Sequence, residues 1–292
     1  MTTSTQIVVG YDASPDARAA LGWAIREAAS RHLGIRVLYC EPDIAAWDGA
    51  AATMSGAPVL ATTLQHDAAG MVAEAAALVA GAGVAVETVT SSGSIASSLV
   101  EASRTAVMIV IGSRGHGALS SAILGSTVAH VASHAHSPVV VAQADGPMDG
   151  PVVAGVDGSA GSERVVGWAI DYASRHGLPL EVLHAFAIPV YPGVVPYVPP
   201  EGITAATSSF ESRVTAEVLA GLRDSYPDVE VTTRVQHGRP GPLLVEATGR
   251  ASLTVVGSRG RGAFMGMLLG STSQSLLQHA KGSVSVLRTH SH

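Results

Sequence analysis

Short apolar runs alternate along this chain with longer stretches in which apolar residues recur every three to four positions. Short runs predict strands, and the longer periodic stretches predict helices. In the first half we predict strands at 7–9, 35–39, 84–89, 106–111 and 138–141, and helices at 15–31, 62–80, 95–104 and 126–134. The order is βαβαβαβαβ. Apolar strands that alternate with helices indicate a parallel sheet covered by helices on both faces.

The chain is a tandem duplication. GSRGHGA from Gly112 recurs as GSRGRGA from Gly257, an offset of 257 − 112 = 145 residues. The same offset relates Gly10 to Gly155, Asp12 to Asp157, the run GWAI at 22 to that at 167, LVEA at 99 to that at 244, and LGST at 124 to that at 269. The turn-forming stretch at 145–151 is the predicted linker. We therefore predict two domains of the same α/β fold, at residues 1–145 and 151–292.

Composition narrows the classes of function. The chain has 292 residues, 47% of them hydrophobic, and a formal net charge of -6. A negative balance disfavours a nucleic-acid-binding protein, which neutralises phosphates with Lys and Arg. The single cysteine, Cys40, allows no internal disulfide, and neither an apolar secretory segment nor a run of eighteen apolar residues is present. We expect a cytoplasmic protein without a membrane span.

The strongest chemical signal is a glycine loop joined to a helix start. Gly112-Ser113-Arg114-Gly115 is followed after nine residues by Gly125-Ser126-Thr127, and the second half repeats this spacing with Gly257-Ser258-Arg259-Gly260 and Gly270-Ser271-Thr272. Glycines after a buried strand let backbone N–H groups approach an anion, and a helix N-terminus attracts negative charge. The pattern predicts a phosphate site. It is neither a Walker A loop nor the G-x-G-x-x-G dinucleotide motif.

Asp12 and Asp157 end the first strand of each half. Two interpretations stay open for them. Aspartate at a strand-to-helix turn often caps the helix, and it can equally contact a ligand at that edge of the sheet. Capping does not require Asp in both halves, since Ser or Asn serves as well, and this favours the ligand slightly.

The pattern G-x2-G-x9-G-S/T after a fourth strand, with an early strand ending in Asp, resembles the ATP-binding branch of the universal stress protein family. The resemblance spans nearly the whole chain. It implies a Rossmann-like, five-stranded parallel sheet in the order 3-2-1-4-5 in each half, one site for ATP with Mg²⁺ per half, and association through the last strands, at 138–141 and 283–287. It also implies a homodimer and a role in stress response or growth regulation.

The resemblance also assigns ligand contacts. Asp12 and Asp157, which follow Gly10 and Gly155, would contact adenosine, and the backbone at Cys40 and Ala185 would meet the adenine edge. Ribose and phosphates would be held by the two glycine loops and the following helix starts. These comprise Gly112, Ser113, Arg114, Gly115, His116, Gly117, Ala118, Gly125, Ser126 and Thr127, then Gly257, Ser258, Arg259, Gly260, Arg261, Gly262, Ala263, Gly270, Ser271 and Thr272. His116 and Arg261 differ in charge, so the two sites are expected to differ in affinity or pH response.

Other features are weighed against plainer explanations. His130 and His134 have the i, i+4 spacing of a metal pair, but solvated histidines near a helix C-terminus are favoured and no metal site is predicted. Three interpretations stay open for the proline-rich segment at 188–202: a gate over the ligand, a flap that docks a partner, and an ordered connection without function. No nucleophile elbow or repeated carboxylate pair is present, so catalysis is not expected. Alternatives kept open are an adenine-nucleotide-dependent transferase or hydrolase, and a structural module whose glycines only turn the chain.

Overall fold

The computed structural model of the chain describes residues 6–41, 57–114, 125–186, 219–260 and 268–289. The chain divides into two compact units, Met1–Ala144 and Asp145–His292, which we call the first and second halves. The proline-rich segment at 188–202 lies outside the described residues. Within the part of the chain that is described, no helix combines the length and the apolar character that crossing a membrane requires.

The first half is an α/β unit with one parallel sheet. Its elements are β1 (Gln6–Gly10), α1 (Pro15–Arg31), β2 (Gly34–Glu41), α2 (Ala57–Gly81), β3 (Val86–Ser92), α3 (Ile95–Ala102), β4 (Met108–Gly112), α4 (Ser126–His134) and β5 (Val139–Ala142). β1 pairs in parallel with β2 and β4, β2 with β3, and β4 with β5. The strand order is therefore 3-2-1-4-5, and the Rossmann-like topology is confirmed.

The second half repeats this topology. Its elements are β6 (Val152–Val156), α5 (Gly161–His176), β7 (Leu180–Phe186), a 3-10 turn (Arg223–Ser225), β8 (Val231–His237), α6 (Pro240–Thr248), β9 (Leu253–Gly257), α7 (Ser271–His279) and β10 (Val284–Leu287). β6 pairs with β7 and β9, β7 with β8, and β9 with β10, all in parallel. In both halves the chain changes direction across the sheet next to the first strand, which is where open α/β sheets bind ligands.

The third strand is displaced from its predicted position. Hydrophobicity predicted residues 84–89, but β3 covers Val86–Ser92. The turn that ends α2 contains Gly83, with φ +73°, and Val84, whose N–H donates to the carbonyl of Val79 at 3.4 Å, so the strand begins after them. β3 lies at the edge of its sheet and is largely exposed, and its polar end pairs with β2 through Tyr39↔Thr90 and Glu41↔Ser92. An edge strand needs few apolar side chains, so an apolar run locates it poorly.

The central strands and the alanine-rich face of α1 form the core of the first half. Ile7 and Met108 lie opposite each other on β1 and β4, and both are fully buried. Ala20, Ala24 and Ala28 of α1 are also fully buried. Small side chains at these positions let the helix lie close to the sheet.

A charged cluster links α1 to α2 and predicts a pH response. Nε of Arg18 donates to Glu74 at 2.9 Å, and the Tyr11 hydroxyl donates to the same carboxylate at 3.5 Å. The hydrogen bond from Arg18 lowers the pKa of Glu74, while burial, followed by the charge of Glu74, raises the pKa of Tyr11. The favourable contribution of Glu74 is present above the ordinary pKa of a glutamate and is lost as the pH falls through the lowered value.

We expect Arg18→Ala to raise the pKa of Glu74 towards its ordinary value. Because both side chains are more than a third exposed, the effect on stability is small, and the pKa itself is the sensitive observable. The measurement is an NMR titration of the Glu74 carboxyl carbon in both proteins. An identical midpoint in the two titrations would contradict the contact.

Candidate functional site

A cavity of about 550 Å³ opens at the carboxyl edge of the sheet in the second half. It lies where β6, β7 and β9 end and α7 begins. Residues from all four elements line it, and they include Gly155, Val156, Asp157, Ser159, Gly161, Ser162, His184, Ala185, Phe186, Leu244, Gly257, Arg259, Gly260, Gly270, Ser271, Thr272, Ser273 and Thr289. Its volume falls within the range of about 300–1,000 Å³ that is usual for sites of small molecules and cofactors.

Most of the residues predicted for this half meet at the cavity. Gly155, Asp157, Ala185, Gly257, Arg259, Gly260, Gly270, Ser271 and Thr272 all line it. Ser258 is buried, and its carbonyl accepts a hydrogen bond from the N–H of Gly270 at 2.7 Å. This bond ties the glycine loop to the start of α7. Arg261, Gly262 and Ala263 lie outside the described residues, so their placement stays a prediction.

The aspartates do not cap the following helices. Ser14 is the N-cap of α1, and its Oγ accepts from the N–H of Ala17 at 3.1 Å. Oδ1 of Asp12 instead accepts from the N–H of Ser14 at 3.0 Å, which forms an Asx turn immediately before the helix. The capping interpretation of Asp12 is therefore wrong.

Asp157 is held at the cavity wall. Its Oδ1 accepts from the N–H of Ser159 at 3.0 Å and from Oγ of Ser162 at 3.2 Å. Gly260 lies directly against the carboxylate, and a Cβ at that position would collide with it. Because α5 has Ala160 as its N-cap, Asp157 does not cap that helix either. A fixed carboxylate between the end of β6 and the glycine loop is well placed to accept hydrogen bonds from hydroxyl groups of a ligand.

The start of α7 leaves helix N–H groups without a side-chain cap. Gly270 is the N-cap and offers no side chain, and the hydroxyl of Ser273 donates backwards to the carbonyl of Gly257 at 2.7 Å. α4 likewise begins after Gly125 without a side-chain cap. Uncapped N–H groups at the positive end of a helix dipole attract anions, and at α7 this end faces the cavity.

Gly112 and Gly257 are required by packing as well as by any ligand. A Cβ on Gly112 would lie 2.6 Å from the carbonyl carbon of Asp16 and 2.8 Å from the backbone nitrogen of Ala17. A Cβ on Gly257 would lie 2.7 Å from Cγ2 of Thr289 and 3.0 Å from the carbonyl oxygen of Arg259. Gly112 is therefore required by the closeness of α1 to the end of β4, whereas Gly257 is required by its contact with the side chain of Thr289 and with the backbone of its own loop.

The second strand of each half presents different side chains. In the second half, Ala185 lies between His184 and Phe186, and all three line the cavity. Nδ1 of the buried His184 is 2.8 Å from the carbonyl oxygen of Val156, which fixes the ring. In the first half, the thiol of Cys40 donates to the carbonyl of Gly93 at 2.8 Å.

Sequence reasoning missed Asp16. In the first half, Oγ of Ser113 donates to Oδ2 of Asp16 at 2.7 Å, and Nε of Arg114 donates to the same oxygen at 2.9 Å. The signal available in the sequence was a difference between the halves, since 16 + 145 = 161 and that position is Gly161. Gly10, Gly125, Ser126 and Thr127 are described, whereas Gly115, His116, Gly117 and Ala118 lie outside the described residues.

Three side chains outside the glycine motif make local contacts on or next to their own helices. The rings of His130 and His134 stack with centroids 4.3 Å apart, and Nδ1 of His134 lies 2.9 Å from the carbonyl oxygen of His130. Glu101, which belongs to the repeated LVEA run, is exposed on α3 and accepts a hydrogen bond from Nε of Arg104 at 2.8 Å. Among the described residues, no group of three or more His, Cys, Asp and Glu side chains is arranged to hold a metal ion.

Comparison with known proteins agrees with this architecture. The model of the universal stress protein family matches residues 3–143 and again 148–288. A universal stress protein of Mycolicibacterium smegmatis is 37% identical over 98% of both chains, and one of Mycobacterium tuberculosis is 35% identical over 98% of this chain and 97% of its own. The crystal structure of a universal stress protein from Archaeoglobus fulgidus superposes with a TM-score of 0.70 at 20% identity, covering 98% of this chain and 99% of its own. The chain thus belongs to the universal stress protein family and contains two tandem domains of that family.

Proposed function

We propose that this protein binds ATP, one molecule in each half, and that nucleotide occupancy regulates its conformation or assembly in a stress or growth response. The observation that carries the proposal is the cavity of the second half, where an uncapped helix start, an arginine and a fixed carboxylate converge. The repeated motif extends the proposal to the first half.

The two ends of the cavity differ in character, as a nucleotide requires. Val156, Phe186 and Leu244 supply apolar surface beside the second strand, which suits a base. Arg259 and the first turn of α7 supply positive charge and N–H donors, which suit phosphates. Asp157 lies in the wall with a carboxylate that can accept hydrogen bonds from ribose hydroxyls.

We propose that Mg²⁺ binds together with ATP. Asp157 is the one carboxylate that lines the cavity among the described residues, and it alone does not form a protein site for the ion. Mg²⁺ is commonly held by phosphate oxygens and water together with one or two carboxylates. The side chains at the cavity therefore fit a magnesium ion that is coordinated mainly by the phosphate oxygens of the nucleotide and by water. Titrations with and without Mg²⁺ test this point.

Two serines allow a test that leaves the packing intact. Ser126 and Ser271 are exposed in the first turns of α4 and α7, and Ser271 lines the cavity. Aspartate is favourable in the first turn of a helix but repels phosphate. We expect the wild-type chain to bind two ATP, and Ser126→Asp or Ser271→Asp to weaken one site by at least about tenfold, which is about 1.4 kcal/mol. The measurement is calorimetric titration of ATP into nucleotide-free protein.

The control is Gln274→Glu, which adds the same charge to an exposed position of α7 that does not line the cavity. It is expected to leave both sites unchanged. Failure of the folded wild-type chain to bind ATP would overturn the proposal. Phosphate release from the same samples measures any slow hydrolysis, which the proposed binding role does not require.

The wider role includes assembly. We propose a cytoplasmic homodimer that acts on a regulatory protein partner. Regulation of this kind needs only that ATP binds one conformation or assembly more tightly than another. Sedimentation of the full chain with and without ATP tests it, because a nucleotide-dependent shift in mass is expected, and the same mass in both states would contradict the assembly mechanism.

A further inference from the structure

The phosphate end of the site differs between the two halves at one buried position. Asp16 of the first half lies in the first turn of α1, with 6% of its side chain exposed. Its Oδ2 accepts from Oγ of Ser113 at 2.7 Å and from Nε of Arg114 at 2.9 Å. Ser113 and Arg114 are both residues of the first glycine loop. The second half has Gly161 at the corresponding position, so the corresponding arginine, Arg259, faces no such carboxylate.

Helix capping does not account for Asp16. The N-cap of α1 is Ser14, which bonds to the N–H of Ala17. The side-chain bonds of Asp16 run across to residues 97 and 98 positions further along the chain. Interaction with the helix dipole requires only that a carboxylate lie in the first turn, so it does not explain the hydrogen bonds to Ser113 and Arg114.

The second half uses the same space differently. A Cβ on Gly161 would lie 2.6 Å from Cβ and Cγ2 of Thr289, so Thr289 occupies the space there. Since 144 + 145 = 289, the first half has the smaller Ala144 at that position. The two differences go together, since aspartate is found with alanine and glycine with threonine, but an alanine at 289 would remove only the Cγ2 and Oγ1 contacts and would keep the Cβ contact.

The two halves differ in charge at the phosphate end of the site. Gly161, Thr289 and Arg259 all line it, which places the Asp16 position at the phosphate end of the site. Among the described residues, no carboxylate forms an ion pair with Arg259. In the first half, Arg114 is paired with Asp16, and the polar groups there carry one more negative charge.

We propose that Asp16 acts as an internal competitor for the ligand's phosphates, so that the second half is the tighter ATP site and the first half discriminates against highly charged nucleotides. This inference rests on the proposed function and adds a specificity-determining residue to it. The pair with Arg114 is partly exposed and therefore weak, but the buried carboxylate also repels any phosphate that approaches the loop.

The first test isolates the first half. In the Ser271→Asp background, where the second site is weakened, Asp16→Asn keeps the shape of the side chain and removes its charge. We expect ATP to bind about tenfold more tightly, AMP less markedly so, and adenosine with unchanged affinity, because the repulsion scales with ligand charge. A merely structural role for Asp16 would change the affinity for all three ligands alike.

The second test transplants the carboxylate. In the Ser126→Asp background, Gly161→Asp with Thr289→Ala introduces the carboxylate and removes the Cγ2 contact of Thr289. The new Cβ still meets the Cβ of residue 289, a contact that the matched asparagine variant shares, so the comparison between the two isolates the charge. We expect ATP binding to weaken by about tenfold relative to Gly161→Asn with Thr289→Ala, which has the same shape without the charge. Thr289→Ala alone reports the contribution of that side chain.

The outcomes separate the two proposals. If the wild-type chain binds no ATP, the proposed function itself fails and this inference fails with it. If two sites bind ATP but Asp16→Asn leaves ATP affinity unchanged, or shifts ATP and adenosine equally, the inference alone is overturned. A gain restricted to phosphorylated ligands, together with the reciprocal loss in the transplant, supports it.

Discussion

Gly112→Ala is expected to destabilise the first half by about 2–3 kcal/mol, because the added methyl group meets backbone rather than a movable side chain. The new Cβ would lie 2.6 Å from the carbonyl carbon of Asp16 and 2.8 Å from the nitrogen of Ala17, so α1 must move away from β4. The measurement is urea unfolding followed by circular dichroism. An unchanged unfolding midpoint would show that α1 and β4 do not approach this closely.

Two further glycines serve as controls. Gly167 lies inside α5 with nothing within 4 Å of an added Cβ, so Gly167→Ala should stabilise by about 0.5–1 kcal/mol through helix propensity alone. At Gly257, the closest atom to an added Cβ belongs to the side chain of Thr289. Thr289→Ala should therefore reduce the cost of Gly257→Ala. No equivalent rescue exists for Gly112, so glycine variants at the motif report on packing and are poor probes of ligand binding.

Arg31→Met is expected to lower the free energy of unfolding by about 3–5 kcal/mol, because it leaves a buried carboxylate without its ion-pair partner. Glu27 is fully buried in α1 and pairs with Arg31 one turn later, whose side chain is 15% exposed. At the corresponding positions of the second half, Tyr172 and His176 lie in ring contact, 4.3 Å between centroids. The fold therefore admits a pair of side chains here that contains no buried carboxylate.

The double variant Glu27→Met with Arg31→Met should recover most of that loss. Replacing both members of a buried ion pair by apolar side chains of similar volume is often neutral. Urea unfolding of the two single variants and the double variant closes a double-mutant cycle that isolates the coupling between them. If Arg31→Met and the double variant lose equal stability, the buried charge is not the cause of the cost.

The order of elements was predictable because it depends on local pattern. α1 and α4 begin and end where the periodicity placed them, at Pro15–Arg31 and Ser126–His134. β3 was misplaced because an exposed edge strand is not marked by hydrophobicity. The strand order 3-2-1-4-5 came from the family resemblance rather than from the residues themselves, since periodicity identifies strands but does not say which strands are neighbours.

The sequence predicted the motif residues of the candidate site but did not predict the side chains that contact them. A repeat with fixed spacing marks Gly257 and Ser271, which do meet at one cavity. The sequence pointed to His116 and Arg261 as the difference between the halves, whereas the described structure points to Asp16 and Gly161. Asp16 lies 97 residues from Ser113, and no local pattern links residues at that separation.

By itself, therefore, the sequence determined the duplication, the α/β class, the family and the glycine motif, because each is encoded in short-range pattern or in the offset of 145 residues. Only the tertiary structure decided that Ser14 rather than Asp12 caps α1, that Gly112 is required by the closeness of α1 to β4, and that Asp16 holds Arg114. These depend on contacts between distant segments, whose geometry is set by how helices pack on the sheet.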